Sequence, residues 1–290
     1  MNAYRERRYT AQDGLSLYYR VYGGEHYDCT HRGAPAILCL PGLTRNSKDF
    51  HGVASHFRDR YVLYCPDYRG RGQSDYDATA DNYTPSIYLN DLRHLLVLNG
   101  LQRVVVIGTS LGGLLGMAMS VATPTAIVGL VLNDIGPNIE GLSSIIDYIR
   151  VDRPQGNWAD AAAELRLRFP DLSLQTEKEW IDAAKATWRE GADGLLHFDW
   201  DIALTKPILR QSPVDLWPLF RALRRLPVMA VRGEKSTVIS QVTFDKMAKA
   251  HPGLQQVTVA NVGHAPSLRE PVCIDALEKF LDRTSSGQSR

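Results

Sequence analysis

The stretch Gly108-Thr109-Ser110-Leu111-Gly112-Gly113 carries the pattern G-x-S-x-G, and its flanks give the pattern its meaning. Residues 103–107, apolar from Val104 on, read as a buried strand, and residues 111–122 fit an amphipathic helix. A strand that turns sharply into a helix forces the residue at the turn into a strained backbone conformation. Glycines on either side leave space where a Cβ would collide. The Ser110 hydroxyl would then project above the sheet edge, beside N–H groups at a helix N-terminus, where developing negative charge is favoured.

Outward from this turn the same rhythm repeats. Apolar runs at 36–40, 61–65, 127–133, 227–231 and 255–259 are bounded by glycine, proline or aspartate and read as strands buried on both faces. Helical patterns at 50–58, 85–98, 240–251 and 271–281 separate most of them, which predicts a mostly parallel sheet with crossover helices on both faces. Strand-like segments at 8–11 and 15–22 flank Asp13-Gly14 and predict an opening hairpin. Roughly 90 residues separate Asp134 from the run at 227, far more than an ordinary crossover needs. They hold helical periodicity at 142–149, 158–169, 177–189 and 216–226, and all five tryptophans. The predicted organisation is a core from 1–136 and 227–290 with a helical cap, 137–226, over the open end of the sheet, where ligands bind in such folds. The alternative is an insertion packed at the side.

Composition narrows the function. The 290 residues are 44% apolar and 22% charged, with 33 basic and 32 acidic side chains. A net charge of +1 gives no electrostatic case for nucleic acid or an anionic membrane surface. No stretch approaches the roughly 20 apolar residues of a membrane span. The four cysteines match neither a zinc pattern nor C-x-x-C; Cys39 and Cys65 sit inside predicted strands and read as buried thiols. No His, Cys, Asp or Glu cluster has metal-ligand spacing, so neither metal nor cofactor is expected, and a reducing cytoplasm fits.

A serine hydroxyl needs a base within reach. Among eight histidines, His264 stands in Val262-Gly263-His264-Ala265-Pro266, just past the last predicted strand, on a loop that can approach Ser110. Together with Pro66-Asp67-Tyr68-Arg69-Gly70-Arg71-Gly72-Gln73-Ser74 and Ser267-Leu268 with Glu270-Pro271, these motifs resemble the α/β-hydrolase superfamily, most closely its bacterial carboxylesterase, lactonase and C–C-bond hydrolase branch. The resemblance spans about 17–281, and the order nucleophile, acid, histidine fits it.

The resemblance implies the α/β-hydrolase fold, a catalytic triad, and an oxyanion hole from the N–H groups of Leu43 and Leu111. Two positions depart from the usual pattern. Pro41-Gly42-Leu43 stands where most relatives carry His-Gly. The loop after the strand at 227–231, Arg232-Gly233-Glu234-Lys235-Ser236-Thr237, lacks the aspartate that many relatives place there. Some members place the acid one strand earlier, where this chain has Asp134, so Asp134 is the expected orienting carboxylate, with Glu234 as the alternative. The loop 67–74 lacks the ending of a phosphate-binding loop, and a buried Asp67–Arg69 brace is expected instead. Phe198 and Trp200 are candidates either for the wall of an apolar pocket or for the cap's own core. The expected activity is hydrolysis of an ester or lactone of a small, largely apolar molecule. C–C hydrolysis of a diketone or lactonase or peroxide-dependent chemistry on the same site, and a catalytically dead ligand receptor, are the alternatives.

Overall fold

The computed structural model describes residues 3–24, 33–210 and 214–285. Cys29, His26 and His31 lie outside them. The opening hairpin pairs β1 (Arg5–Thr10) with β2 (Ser16–Tyr22), antiparallel across the Asp13-Gly14 turn. Then follow β3 (Ala36–Leu40), α1 (His51–Phe57), β4 (Leu63–Pro66), α2 (Pro85–Leu98), β5 (Val104–Thr109), α3 (Leu111–Ala122) and β6 (Ile127–Asn133). β4 starts later than the apolar run at 61 suggests, because the Tyr61 N–H closes the end of α1 on the Phe57 carbonyl at 2.9 Å.

The insertion comprises α4 (Leu142–Ile149), α5 (Trp158–Arg168), α6 (Glu177–Lys185), β7 (Trp188–Glu190), β8 (Leu196–Phe198), α7 (Thr205–Arg210) and α8 (Trp217–Arg221). The core resumes with β9 (Val228–Gly233), α9 (Gln241–Ala250), β10 (Gln255–Val259) and α10 (Pro271–Ser285). The strands form one sheet in the order β1-β2-β4-β3-β5-β6-β9-β10, parallel from β4 through β10. Alternation along β5 serves both faces. Val104 and Val106 pack on the side of α2, α3 and α9, whereas Val105 and Ile107 pack on the side of α1 and α10. Cys39, Cys65 and Cys273 are free and buried.

The insertion is not purely helical. The helix expected over 177–189 ends at Lys185, and β7 then pairs antiparallel with β8. Burial of the Trp188 ring against Phe198, 5.3 Å between centroids, and a hydrogen bond from its Nε1 to the Arg153 carbonyl favour the hairpin over another helical turn. Polar ties fasten the insertion to loops at the C-terminal ends of the core strands. Gly72 N–H donates to the Asp199 carbonyl at 3.0 Å, Asp201 N–H to that of Gly70 at 2.8 Å, and Gly263 N–H to that of Asp171 at 2.8 Å. From the loop after β3, Asn46 Nδ2 donates to the Ala186 carbonyl at 3.1 Å, so the loops after β3, β4 and β10 all carry the insertion. Among the described residues no helix is long and apolar enough to cross a membrane.

Candidate active site

Ser110 lies between β5 and α3 with φ 52°, the left-handed region that a non-glycine residue seldom occupies. Its glycine neighbours explain how the turn closes. A Cβ on Gly108 would strike the Gly112 carbonyl, and one on Gly112 would strike the backbone of Leu40 on β3. At Gly112 the first turn of the helix thus meets the β3 backbone with no side chain between them. Gly113 and Leu114 donate their N–H groups to the Ser110 carbonyl, which begins α3 directly at the serine and puts Leu111 in its first turn.

The loop after β3 passes beside this turn. An added Cβ on Gly42 would stand 3.7 Å from the Ser110 Cβ. The Gly42 carbonyl accepts from Arg45 N–H at 3.1 Å, and since the peptide is trans, the Leu43 N–H points to the opposite side. Two side chains from the loop after β4 hold the same segment. Arg71 Nε donates to the Leu43 carbonyl at 2.6 Å, and the Tyr68 hydroxyl donates to that of Pro41 at 3.2 Å. Arg71 is fully buried, donates also to the Arg69 carbonyl and the Tyr88 hydroxyl, and lies 4.8 Å from the Tyr88 ring centroid. Sequence reasoning missed this role for Arg71, which links residues far apart in the chain.

Asp134, one residue past β6, also has a positive φ, 54°, and is fully buried. Its carboxylate is held on both oxygens. Oδ1 accepts from Gly233 N–H at 2.8 Å, and Oδ2 accepts from Ser236 Oγ at 2.6 Å. The same Oδ2 lies 2.7 Å from His264 Nδ1. The loop after β9 thus contributes a hydroxyl and an N–H that fix a carboxylate arriving from β6. Glu234 is exposed and accepts from the Asn261 N–H at 2.8 Å, so it serves the neighbouring loop.

Asn133 joins the two halves of the site. Its Nδ2 donates to Thr109 Oγ1 at 3.0 Å and to the Pro266 carbonyl at 2.9 Å, and its own carbonyl accepts from Ser110 N–H at 3.0 Å. One buried amide therefore ties the serine turn to the histidine loop. The only sequence signal for it is a polar residue ending an otherwise apolar strand. Glu270 braces the far side of the same loop by accepting from Ser267 N–H and Oγ and from Ser173 Oγ of the insertion. Burial opposes ionisation of Glu270, but these hydrogen bonds outweigh it and keep its pKa below the usual glutamate value.

The other expected residues fall as follows. Asp67 and Arg69 are both buried but do not pair, which corrects the expected brace. Arg69 is surrounded by Asp91, Asp13 and Asp77 at 2.6–2.7 Å, while Asp67 accepts from the N–H groups of Ser47 and Gln73. Gln73 of this loop and Ser47 of the segment after β3 supply the backbone donors to Asp67, which leaves the guanidinium to Asp91 of α2, Asp13 and Asp77. Phe198 and Trp200 stack at 3.9 Å between centroids, each 3% exposed, within the aromatic core of the insertion. Among the described residues no group of three or more His, Cys, Asp or Glu side chains is arranged to hold a metal ion.

The chain is similar to known proteins over most of its length. A model described as the alpha/beta hydrolase family matches residues 37–275. The 3-hydroxybutyrate-oligomer hydrolase of Cupriavidus necator is 30% identical over 257 residues, 84% of this chain and 87% of that protein. The 2-(acetamidomethylene)succinate hydrolase of Mesorhizobium japonicum is 26% identical over 252 residues, 86% of this chain and 88% of that protein. The crystal structure of an α/β hydrolase from Novosphingobium aromaticivorans has a TM-score of 0.90 and 40% identity, covering 98% of this chain and 99% of that one. A serine turn between β5 and α3, a histidine loop beyond the last strand and a match across most of the length lead to one assignment: the chain belongs to the α/β hydrolase family.

Proposed function

We propose that the protein is a serine hydrolase that cleaves a carboxylic ester, or a lactone, of a small and largely apolar molecule through an acyl-enzyme on Ser110. The observation that carries the reading is the 2.7 Å contact between His264 Nδ1 and an Asp134 carboxylate already fixed by Gly233 and Ser236. A carboxylate so held fixes the imidazole tautomer, leaving Nε2 as the base, and stabilises the imidazolium that forms.

In the first step His264 Nε2 takes the Ser110 proton as Oγ bonds to the substrate carbonyl carbon. The carbonyl π pair moves to oxygen, where the N–H groups of Leu43 and Leu111 receive it; each such donor typically contributes about 3 kcal/mol of transition-state stabilisation. Collapse breaks the bond to the alkoxide, which leaves with the proton from His264. Water, deprotonated by His264, then attacks the acyl-enzyme and releases the acid, and Ser110 recovers its proton. The segment 137–226 acts as the cap that bounds the pocket.

The ester class draws support from the relative named a 3-hydroxybutyrate-oligomer hydrolase, since hydroxy acids oligomerise through ester bonds. The dead-receptor alternative drew on the missing acid after β9 and on Pro41 in place of the usual His-Gly; the 2.7 Å contact of Asp134 with His264 speaks against the first motive. Turnover of 4-nitrophenyl butyrate by wild type and Ser110→Ala tests the proposal. A loss of about 10⁴-fold or more is expected, because the nucleophile and its base act as a unit. Retention of most of the turnover by Ser110→Ala would sink the proposal.

A further inference from the structure

Among the described residues of the insertion, three buried side-chain polar atoms have no hydrogen-bond partner: Asp199 Oδ1, whose other oxygen is held by Asn46 and Lys48, and the Tyr148 hydroxyl oxygen and Arg153 Nε. The last two belong to one cluster, with the Arg153 guanidinium 5.5 Å from the Tyr148 ring centroid. Arg153 is half-buried, and among the described residues no carboxylate pairs with it. A buried guanidinium N–H and a buried hydroxyl without partners cost free energy unless something else satisfies them.

The cluster lies between the two loops of the candidate active site. On one side the Tyr148 ring meets Phe169 edge-on at 5.1 Å, and Asp171, two residues later, accepts the Gly263 N–H beside His264. On the other side Arg45 reaches up from the Gly42 turn. Its Cγ would stand 3.3 Å from a Cβ on Gly42, and its Nη1 donates to Thr187 Oγ1 at 2.5 Å. Thr187 precedes Trp188, whose ring packs on Phe198, and Phe198 in turn packs on Tyr148 at 5.5 Å. Arg45 is itself matched by Asp49, so it forms a wall and adds little free charge. Burial raises the Tyr148 pKa, helped by Glu164 and opposed by Arg45 and Arg153, so the hydroxyl keeps its proton and remains a donor. Glu164 is engaged by Arg168 at 3.0 Å.

The geometry points to a carboxylate subsite: Arg153 and the Tyr148 hydroxyl, in the part of the insertion that contacts both loops, receive a carboxylate carried by the substrate at the end remote from the bond that is cut. The inference rests on the proposed ester hydrolysis and narrows its substrates to apolar esters bearing one free carboxylate. A guanidinium and a hydroxyl both donate, so together they discriminate a carboxylate from its neutral methyl ester.

The test uses 4-nitrophenyl monoesters of the C5 to C8 straight-chain dicarboxylic acids, against the same compounds capped as methyl esters, with spontaneous hydrolysis subtracted. The ratio of kcat/KM, free acid over methyl ester, should exceed about 10 at the best chain length, as expected for one charge-assisted hydrogen bond. It should fall about tenfold or more in Tyr148→Phe and in Arg153→Gln. A ratio near 1 at every length, or one that both variants keep, overturns the subsite and leaves the serine mechanism standing. Calorimetry of Ser110→Ala separates the two claims. Monomethyl adipate should bind at least about tenfold tighter than dimethyl adipate, even if no ester is turned over. Equal or absent binding of both overturns the subsite.

Discussion

At the scale of single residues the site is made of groups whose partners lie far away in the chain. Asp134 takes donors from Gly233 and Ser236 and meets His264, so three segments converge on one buried carboxylate. Asp134→Asn keeps the shape but reverses one donor and acceptor face, which favours the wrong imidazole tautomer. Turnover of 4-nitrophenyl butyrate should fall by about 10³–10⁴-fold, with thermal unfolding little changed, while Glu234→Gln should stay within about twofold of wild type. The opposite ranking would move the acid to Glu234. Ser110 and His264 were legible in the sequence because local motifs with glycine and strand context mark them. Asp134 was legible only through a resemblance and the lack of an acid after β9. Ser236, Asn133 and Arg71 were not legible as parts of the site, because a hydroxyl, an amide and a guanidinium acting across long separations leave no periodic trace.

At the scale of elements the apolar runs named the strands well, since burial on both faces leaves no polar position to blur them. β3, β6 and β10 and helices α2 and α3 have the bounds their patterns suggest. The insertion was harder to read. Three-residue strands such as β7 and β8 are shorter than any periodic signal, and their pairing depends on aromatic burial within the insertion. His197 on β8 sits between Asp152, at 2.5 Å from Nδ1, and Asp193, at 3.0 Å from Nε2. Hydrogen bonds to Asp152 and then Asp193 raise its pKa above the ordinary 6.5. A raised histidine stabilises the fold fully below pH 6.5 and loses that contribution as pH rises through its folded-state value. The unfolding temperature of His197→Gln should therefore trail wild type at pH 5.5, with the gap closing by pH 9. A gap that widens with pH would contradict this assignment of charge.

At the scale of the whole molecule, the sheet presents its serine, acid and histidine loops at one end, and the insertion is fastened to the loops after β3, β4 and β10 at that same end. Under the proposed function the insertion acts as a cap over Ser110 and bounds the acyl pocket. A series of 4-nitrophenyl esters from acetate to decanoate should then show a sharp optimum in kcat/KM at short acyl length, whereas a flat profile would mean that the insertion does not enclose the acyl group. All of this presumes a nucleophile at the turn between β5 and α3. Intact-mass measurement after incubation with a fluorophosphonate tests that presumption most directly. The account predicts one adduct per chain, mapped to Ser110 by peptide analysis and absent from Ser110→Ala. An unmodified protein, or an adduct at another residue, would contradict it.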